Sequence, residues 1–167
     1  MSGEVRFDLE AIFRSHYVRV ARAVTRVVRN PARAEELAVE AFLKWSRSPE
    51  AQGARAEAWL IRTAVRLGLD ELRRLERRGR YERLLGIGST SPTPEEICAG
   101  SEERERVRVT LSALDPRHAE LLLLHADGLS YDEIAAALNL NPASVGTLLA
   151  RARQTFRKEY LKRYGEQ

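Results

Sequence analysis

The fold of the C-terminal part of this chain is indicated by one stretch, Ser130-Tyr-Asp-Glu-Ile-Ala-Ala-Ala-Leu-Asn-Leu-Asn-Pro-Ala-Ser-Val-Gly-Thr-Leu148. Ser130 and Glu133 have the spacing of a capping box, which predicts the start of a short helix. Asn139-Leu140-Asn141 predicts a tight turn, and Asn141 before Pro142 predicts the start of a second helix. A short helix, a three-residue turn and a longer helix with small residues at its start are typical of a helix-turn-helix, whose second helix enters the DNA major groove. The same pattern also occurs in proteins that bind no DNA.

The rest of the chain also divides into helices at its Pro, Gly and Asn residues. Apolar residues at helical spacing run from Phe13 to a predicted end near Arg29, and Asn30 with Pro31 predicts the start of a second helix. A loop is expected at 48–55, a long helix at about 56–78, and a helix capped by Asp115 and Pro116 further on. No pair of strands is indicated. The expected fold is therefore all-α.

A cluster of Gly, Ser, Thr and Pro at 79–93 predicts a flexible linker between two small helical domains. We expect a first domain over 1–80, a linker with the start of a helix over 81–104, and a second domain over 105–167 that contains the helix-turn-helix. Thr93-Pro94-Glu95-Glu96 has the form of a capping box, from which helix resumes. Cys98 also lies in this linker, where a redox role is less expected than an incidental one.

The composition excludes several classes of protein. The chain has 167 residues, 44% of them apolar and 31% charged, which suits a folded protein and is too short for a large barrel enzyme. No apolar run is long enough to cross a membrane, and residues 1–6 lack the pattern of a signal peptide, so a cytoplasmic protein without membrane insertion is expected. The single cysteine and three dispersed histidines exclude disulfides and a multi-cysteine metal site, and no metal or cofactor is expected.

The positive charge is concentrated in the first predicted domain. The total is +4, but residues 1–80 carry +6, residues 81–104 carry −3 and residues 105–167 carry +1. Of the 28 basic residues only three are Lys, which an Arg-rich codon usage could also explain. Arginine forms bidentate contacts with phosphates, so an Arg-rich helix end is a candidate nucleic-acid surface. Six arginines meet this description: Arg62, Arg66, Arg73, Arg74, Arg77 and Arg78.

A catalytic site is not supported by the sequence. Glu35, Glu36 and Glu40 are close along one predicted helix, but no histidine or nucleophile accompanies them. Gly86-Ile-Gly88 follows no strand and lacks the third glycine of a dinucleotide fingerprint. We therefore expect a protein that is not an enzyme.

Four segments of the chain resemble one protein family. They are Ala34-Glu-Glu-Leu-Ala-Val-Glu-Ala-Phe42, Trp59-Leu-Ile-Arg-Thr-Ala-Val-Arg-Leu-Gly-Leu-Asp-Glu-Leu-Arg-Arg74, Leu129-Ser-Tyr-Asp-Glu-Ile-Ala-Ala-Ala-Leu138 and Arg151-Ala-Arg153. They are similar to motifs of the extracytoplasmic-function (group four) bacterial sigma factors of the sigma-70 family. The resemblance covers residues of about 10–78 and 105–160, in the order that the family has them.

The resemblance implies a non-enzymatic subunit that directs core RNA polymerase to promoters, with core polymerase, promoter DNA and an anti-sigma factor as partners. It implies a polymerase-binding surface at Glu36, Glu40, Phe42 and Trp45. It implies contacts to the minus-ten element from Gln52, Gly53, Arg55, Trp59, Arg62, Arg66, Arg73, Arg74, Arg77 and Arg78. It implies contacts to the minus-thirty-five element from Asn141, Ala143, Ser144, Thr147, Leu148, Arg151 and Arg153.

The chain departs from the family pattern at several of these positions. Val39 replaces a polar amide on the expected polymerase surface, and Gly146 and Leu148 replace two basic residues on the recognition helix. Glycine and leucine at the groove can contact a thymine methyl group but cannot read guanine as arginine does. An altered or weakened minus-thirty-five recognition is therefore expected. A free-standing helix-turn-helix regulator and a sigma-like protein-binding module stay open as alternatives.

Overall fold

The computed structural model describes residues 2–87 and 102–165, with side chains from residue 9 onward. Within these ranges the regular structure is helical and contains no strand, which confirms the all-α prediction. No helix in the described ranges is long and apolar enough to cross a membrane. No three His, Cys, Asp or Glu side chains there are grouped so that they could hold a metal ion.

The described chain forms seven α-helices and one short 3-10 turn. In chain order they are α1 (Ser2–Thr25), α2 (Pro31–Ser46), the 3-10 turn (Pro49–Ala51), α3 (Ala56–Leu84), α4 (Glu102–Ala113), α5 (Pro116–Ala126), α6 (Tyr131–Leu138) and α7 (Pro142–Tyr164). We refer to α1, α2 and α3 as the N-terminal module and to α4 to α7 as the C-terminal module.

The helix starts predicted from polar caps are confirmed. The Asn30 side chain accepts hydrogen bonds from the first free backbone N–H groups of α2, and Asn141 caps α7 in the same way. Asp115 accepts from the backbone N–H of Arg117 at 2.9 Å. Ser130 and Glu133 form the reciprocal capping box at the start of α6. Each cap satisfies N–H groups that a helix start would otherwise leave unpaired.

Two predicted helix ends differ from the structure. The first helix ends at Thr25, four residues before the expected end near Arg29. The long helix continues to Leu84, through Gly79, so that residues 79–84 of the expected linker are helical. One glycine costs a helix only about 1 kcal/mol, and a pair between Arg78 and Glu82, with Nε and Oε1 2.9 Å apart, supports this last turn. The predicted capping box at 93–96 and Cys98 lie outside the described residues.

Each module packs around its own buried side chains. Helices α1, α2 and α3 contact one another pairwise, and their largest fully buried residues are Val20, Val24, Val27, Phe42, Leu60, Ile61, Leu69 and Leu72. In the C-terminal module α7 packs against α4, α5 and α6. Its largest fully buried residues are Leu121, Leu124, Ile134 and Leu149. These cores hold the exposed faces of α2, α3 and α7 in fixed directions.

The two modules also contact each other. Helix α3 packs against α4, α5 and α6 as well as against α1 and α2. It therefore serves as the central element of the described structure. The division into domains at residues 80 and 104 stays a prediction.

Candidate nucleic-acid interface

The helix-turn-helix predicted from the sequence is present in α6 and α7. Between them Asn139 adopts the left-handed conformation, with φ 54° and ψ 52°, which asparagine tolerates better than most residues. Its N–H bonds to the carbonyl of Ala135, and the Leu140 N–H bonds to the same carbonyl at 2.8 Å. Ile134 and Val145 are fully buried on the facing sides of the two helices. The turn and this packing fix the angle at which α7 is presented.

One face of α7 lies open to solvent. Ser144 is half-buried, and its hydroxyl donates to the Asn141 carbonyl at 2.7 Å. The predicted minus-thirty-five residues that are exposed on α7 and its cap are Asn141, Ala143, Thr147, Arg151 and Arg153.

Leu148 does not lie on this open face as expected. It is half-buried and packs against the core, because it lies one turn from both Val145 and Ala152 at the edge of the buried stripe. Gly146, near the start of the helix, is also half-buried. A Cβ there would lie 3.4 Å from Cε2 of the Tyr131 ring, so the ring, 45% exposed, lies directly against the recognition helix.

The loop between α2 and α3 is anchored at its base and exposed at its tip. Trp45 donates from its indole Nε1 to the carbonyl of Ala51 at 3.0 Å, and both residues are buried. Beyond this anchor Gln52, Gly53 and Arg55 are exposed. Gly53 has φ +116°, a backbone conformation that L side chains rarely adopt. Trp59, in the first turn of α3, is half-buried and packs on the core.

Phe42 and Trp45 are not part of an exposed polymerase-binding surface. Phe42 is 2% exposed and Trp45 is 3% exposed, so their side chains cannot contact a partner directly. Phe42 packs edge-on against Phe13, with ring centroids 4.9 Å apart. Their positions follow from helical periodicity, because both lie on the stripe of α2 that faces α1 and α3. This corrects the surface role that the resemblance implied for these two aromatics.

The exposed face of α2 combines acidic and apolar side chains. Glu36 is exposed and accepts a hydrogen bond from Arg33 at 2.9 Å, while Glu40 is half-buried. Val39 and Leu43, one turn apart, are 41% and 45% exposed. From the sequence, Val39 stands out only because it replaces a polar amide, and Leu43 does not stand out at all. The signal that could have found them is their i, i+4 spacing on the same side as the two acids.

The six predicted phosphate-binding arginines lie together along α3, but most of them already have partners. Arg74 donates to Glu71 at 2.9 Å and Arg78 to Glu82 at 2.9 Å. Arg77 is exposed. Glu71 also accepts from Arg33, and the hydrogen bond from Arg74 is the first cause that lowers the pKa of the Glu71 carboxyl.

Three of the six arginines face the C-terminal module. Arg66 Nε lies 2.6 Å from Glu120 Oε1, and Arg73 donates to the carbonyl of Leu114 at 3.2 Å. The Nε of Arg62 is buried without a hydrogen-bond partner. Burial, followed by repulsion from Arg66 and Arg117, lowers the pKa of Arg62, and Glu120 opposes this shift. The nearness of Arg117 and Glu120 was not predictable, since both come from the other module.

Two family models match the chain over separate segments. The model described as Sigma-70 region 2 matches residues 12–78, which run from α1 through most of α3. The model described as Sigma-70, region 4 matches residues 104–156, which contain the helix-turn-helix. The two segments follow each other in the order of the two modules.

Similar proteins and structures agree with these matches. The ECF RNA polymerase sigma factor SigE of Mycolicibacterium smegmatis is 32% identical over 169 residues, covering 95% of this chain. The alignment covers 63% of SigE, so the chain spans less than two thirds of that relative. The structure of CnrH in complex with the cytosolic domain of CnrY matches with a TM-score of 0.55 and 25% identity, covering 92% of this chain and 87% of that one. The sigma factor RpoE of Bartonella quintana, solved with the anti-sigma factor NepR, shares the fold with a TM-score of 0.52 and 21% identity, covering 95% and 97%.

Proposed function

The chain belongs to the sigma-70 family, in its extracytoplasmic-function group, and we propose that it directs core RNA polymerase to promoters and starts transcription there. The observation that carries this proposal is the pairing of two surfaces in one chain. An anchored loop leads into an Arg-rich helix in the N-terminal module, and a helix-turn-helix presents α7 in the C-terminal module. A protein with both surfaces can contact two separate DNA elements, and the two contacts add through effective concentration.

The loop from Glu50 to Arg55 is the proposed site for a base of the minus-ten element. A base held outside the stack costs a few kcal/mol of unstacking energy, and a preformed pocket repays part of it. The Trp45 to Ala51 hydrogen bond supports this role because it holds the base of the loop before DNA arrives. Gln52 and Arg55 supply polar groups at the exposed tip. Trp59, half-buried in the first turn of α3, supplies an aromatic ring close along the chain to this loop.

Helix α3 is the proposed phosphate contact beside the melted strand. Arg74, Arg77 and Arg78 are exposed there. Arg66 is also exposed but pairs with Glu120 of α5, and Arg62 and Arg73 are half-buried. Neutralising phosphates releases counterions, so this contact would weaken steeply with salt.

The exposed face of α7 is the proposed reader of the minus-thirty-five element. Thr147 and Ser144 can contact several bases, while Arg151 and Arg153 supply positive charge one turn further along. Gly146 lies against the Tyr131 ring and Leu148 packs on the core, and the first two turns of the helix carry no arginine. This supports a minus-thirty-five contact that depends more on shape and phosphates than on guanine readout.

The exposed face of α2 is the proposed docking surface for core polymerase. Glu36 and Glu40 offer charge, and Val39 and Leu43 offer about one helical turn of apolar surface between them. A mixed patch of this kind suits a protein interface, in which an apolar centre is surrounded by polar groups.

The proposed role is not enzymatic, and we place it in the cytoplasm, where core polymerase acts. An anti-sigma factor is a further proposed partner. The structure of CnrH, similar over most of the chain, was solved with the cytosolic domain of a second protein. That precedent supports a regulator that binds the present chain in the same way.

Run-off transcription with core polymerase on a randomised promoter library tests the proposal. We expect the purified protein to bind core and to select templates that share a minus-ten and a minus-thirty-five motif. DNA binding without core binding would instead indicate a free-standing regulator. Core binding without any transcript would indicate a protein-binding module.

A further inference from the structure

The open face at the start of α7 carries only small side chains. Between residues 143 and 150 the exposed side chains are Ala143, Thr147 and Ala150. The next exposed residue along the helix is Arg151. Small side chains let a helix backbone come close to the base edges of the major groove, but they offer few groups that read those edges. A reader of the bases near this end of α7 therefore has to come partly from elsewhere in the chain.

The ring of Tyr131, from α6, lies at the edge of this small-residue face. Gly146 is three residues after Ala143 and four before Ala150, so the three positions are neighbours on the helix surface. A Cβ at Gly146 would lie 3.4 Å from Cε2 and 4.0 Å from the hydroxyl oxygen of Tyr131. The ring therefore occupies the space that a long side chain at residue 146 would enter.

The position of the Tyr131 ring is held by its neighbours. Tyr131 is the first residue of α6, between Ser130 and Glu133 of the capping box. The ring of His125, at the end of α5, lies 6.2 Å from the Tyr131 ring between centroids. Even so, Tyr131 is 45% exposed. A ring that is placed before binding and still open to solvent loses little conformational freedom when it contacts a ligand.

The chemistry of this surface suits a thymine methyl group. Thymine is the base that presents a methyl group in the major groove, and apolar side chains such as alanine, the threonine methyl and aromatic rings contact it. Ala143, Ala150 and the methyl group of Thr147 surround the place where the ring meets α7. The tyrosine hydroxyl could instead donate to a phosphate, which would carry no base preference.

We propose that the Tyr131 ring takes the place of the side chain that Gly146 lacks and contacts a thymine methyl group in the minus-thirty-five element. This inference rests on the proposed promoter function. It assigns part of the base preference to α6 rather than to α7. It also makes Tyr131 and Gly146 a coupled pair, because a long side chain at residue 146 has to displace the ring before it reaches the groove.

The methyl contact is tested by removing the methyl group alone. Holoenzyme binding to a promoter selected in the transcription assay is measured by fluorescence anisotropy, with each minus-thirty-five thymine replaced in turn by deoxyuridine. For the unmodified protein and for Tyr131→Phe we expect one replacement to lower affinity by about threefold to fivefold, the effect of one buried methyl group. For Tyr131→Ala the same replacement should change affinity by less than about 1.5-fold, since no ring is left to contact the methyl group.

Tyr81→Ala is the matched control. It removes another exposed tyrosine, on α3 and outside the helix-turn-helix, and should keep the full effect of deoxyuridine. Circular dichroism shows whether each variant is folded. The proposal would be overturned if no thymine responds to deoxyuridine, or if Tyr131→Ala keeps the response. A loss of affinity in Tyr131→Phe that is equal for thymine and deoxyuridine would also overturn it, in favour of a hydroxyl contact to phosphate.

The coupling of the pair is tested from the other side, without truncating the ring. In promoter selection, Gly146→Arg should weaken the thymine preference without a new preference for guanine while Tyr131 occupies the space. Gly146→Arg combined with Tyr131→Ala should prefer guanine at a minus-thirty-five position by about tenfold, as arginine does when it reaches that base. Gly146→Ala is the control, because its Cβ would lie at an ordinary contact distance from the ring. An equal guanine preference in Gly146→Arg alone would overturn the coupling.

The two levels of inference fail in different ways. An unmodified holoenzyme that selects no minus-thirty-five motif would overturn the proposed promoter reading, and this inference with it. A selected motif that responds to none of the Tyr131 and Gly146 variants would overturn the inference alone.

Discussion

At the scale of single residues, Glu71 joins α2 to α3. It is 8% exposed and accepts hydrogen bonds from Arg33 of α2 and Arg74 of α3. Because these arginines favour the ionised form, the pKa of Glu71 in the folded protein lies below its ordinary value of 4.5. A carboxyl with a lowered folded pKa stabilises the protein above its unfolded pKa, and this contribution is lost as the pH falls through the folded pKa.

We predict that Glu71→Gln lowers the free energy of unfolding by about 1–3 kcal/mol at pH 7. The difference from the unmodified protein should shrink as the pH falls below 4.5. Urea denaturation followed by circular dichroism, over a range of about pH 3 to pH 7, measures both effects. The control is Glu82→Gln, which removes a pair with the exposed Arg78 within one helix and should cost less than about 1 kcal/mol. A difference that does not vary with pH would contradict the assigned role.

Trp45 has a different role at the same scale, since its indole holds the loop between α2 and α3. We predict that Trp45→Phe, which keeps an aromatic ring but leaves the Ala51 carbonyl without its donor, lowers stability by about 1–3 kcal/mol. Promoter opening, followed by permanganate reactivity of unpaired thymines, should fall more than affinity for core polymerase. Val24→Ala is a control, because it weakens the same core without touching the loop. An equal loss of core affinity and opening in Trp45→Phe would indicate a general structural effect.

At the scale of elements, α2 buries one face and offers the opposite face to a partner. We predict that Glu40→Arg lowers affinity for core polymerase by about tenfold while helix content and thermal stability stay unchanged. Glu40 is half-buried among the exposed Val39 and Leu43, so a reversed charge there would disturb the patch directly. Microscale thermophoresis with labelled core measures the change. Glu10→Arg on α1 is the matched reversal, and an effect of equal size there would place the contact elsewhere.

Helix α3 should contribute the electrostatic part of DNA affinity. We predict that replacing Arg77 and Arg78 with Ala weakens promoter binding by the holoenzyme and reduces the slope of log affinity against log salt by about two. Fluorescence anisotropy over a salt series measures the slope. The control replaces Arg14 and Arg163, which pair with Glu10 and Glu159 on other surfaces. An unchanged slope in the α3 variant would contradict phosphate contact by these two residues.

At the scale of the whole molecule, three ion pairs between the modules should couple their unfolding. They are Arg26 with Asp127, Arg29 with Glu105 and Arg66 with Glu120. We predict a single cooperative transition for the unmodified protein in differential scanning calorimetry. The variant with Glu105→Gln, Glu120→Gln and Asp127→Asn should unfold in a broader transition or in two transitions, since less free energy then couples the modules. A charge-matched variant with Glu10→Gln, Glu35→Gln and Glu102→Gln, which removes no described ion pair between the modules, should keep the single transition. Identical curves for all three proteins would show that these pairs do not couple the modules.

Much of the fold could be predicted from the sequence because its signals are local. The caps at Asn30, Asp115, Ser130 and Asn141 act within one turn of each helix start, and all four are confirmed. Helix ends were less predictable. Gly79 did not end α3, because one weak break is outweighed by the good helix formers that follow it.

The all-α class, the helix-turn-helix, the Arg-rich helix and the family follow from the amino-acid sequence alone, since each depends on residue type and short-range spacing. Which of these residues are available to a partner depends on how the helices pack in three dimensions. Helical periodicity shows which residues share a face, but whether that face is buried depends on which helix packs against it. Phe42 and Trp45 therefore lie in the core, and Leu148 lies at its edge. Likewise the partner of Arg66 is Glu120, 54 residues away along the chain. Such a contact is set by how the modules pack, and no local pattern encodes it.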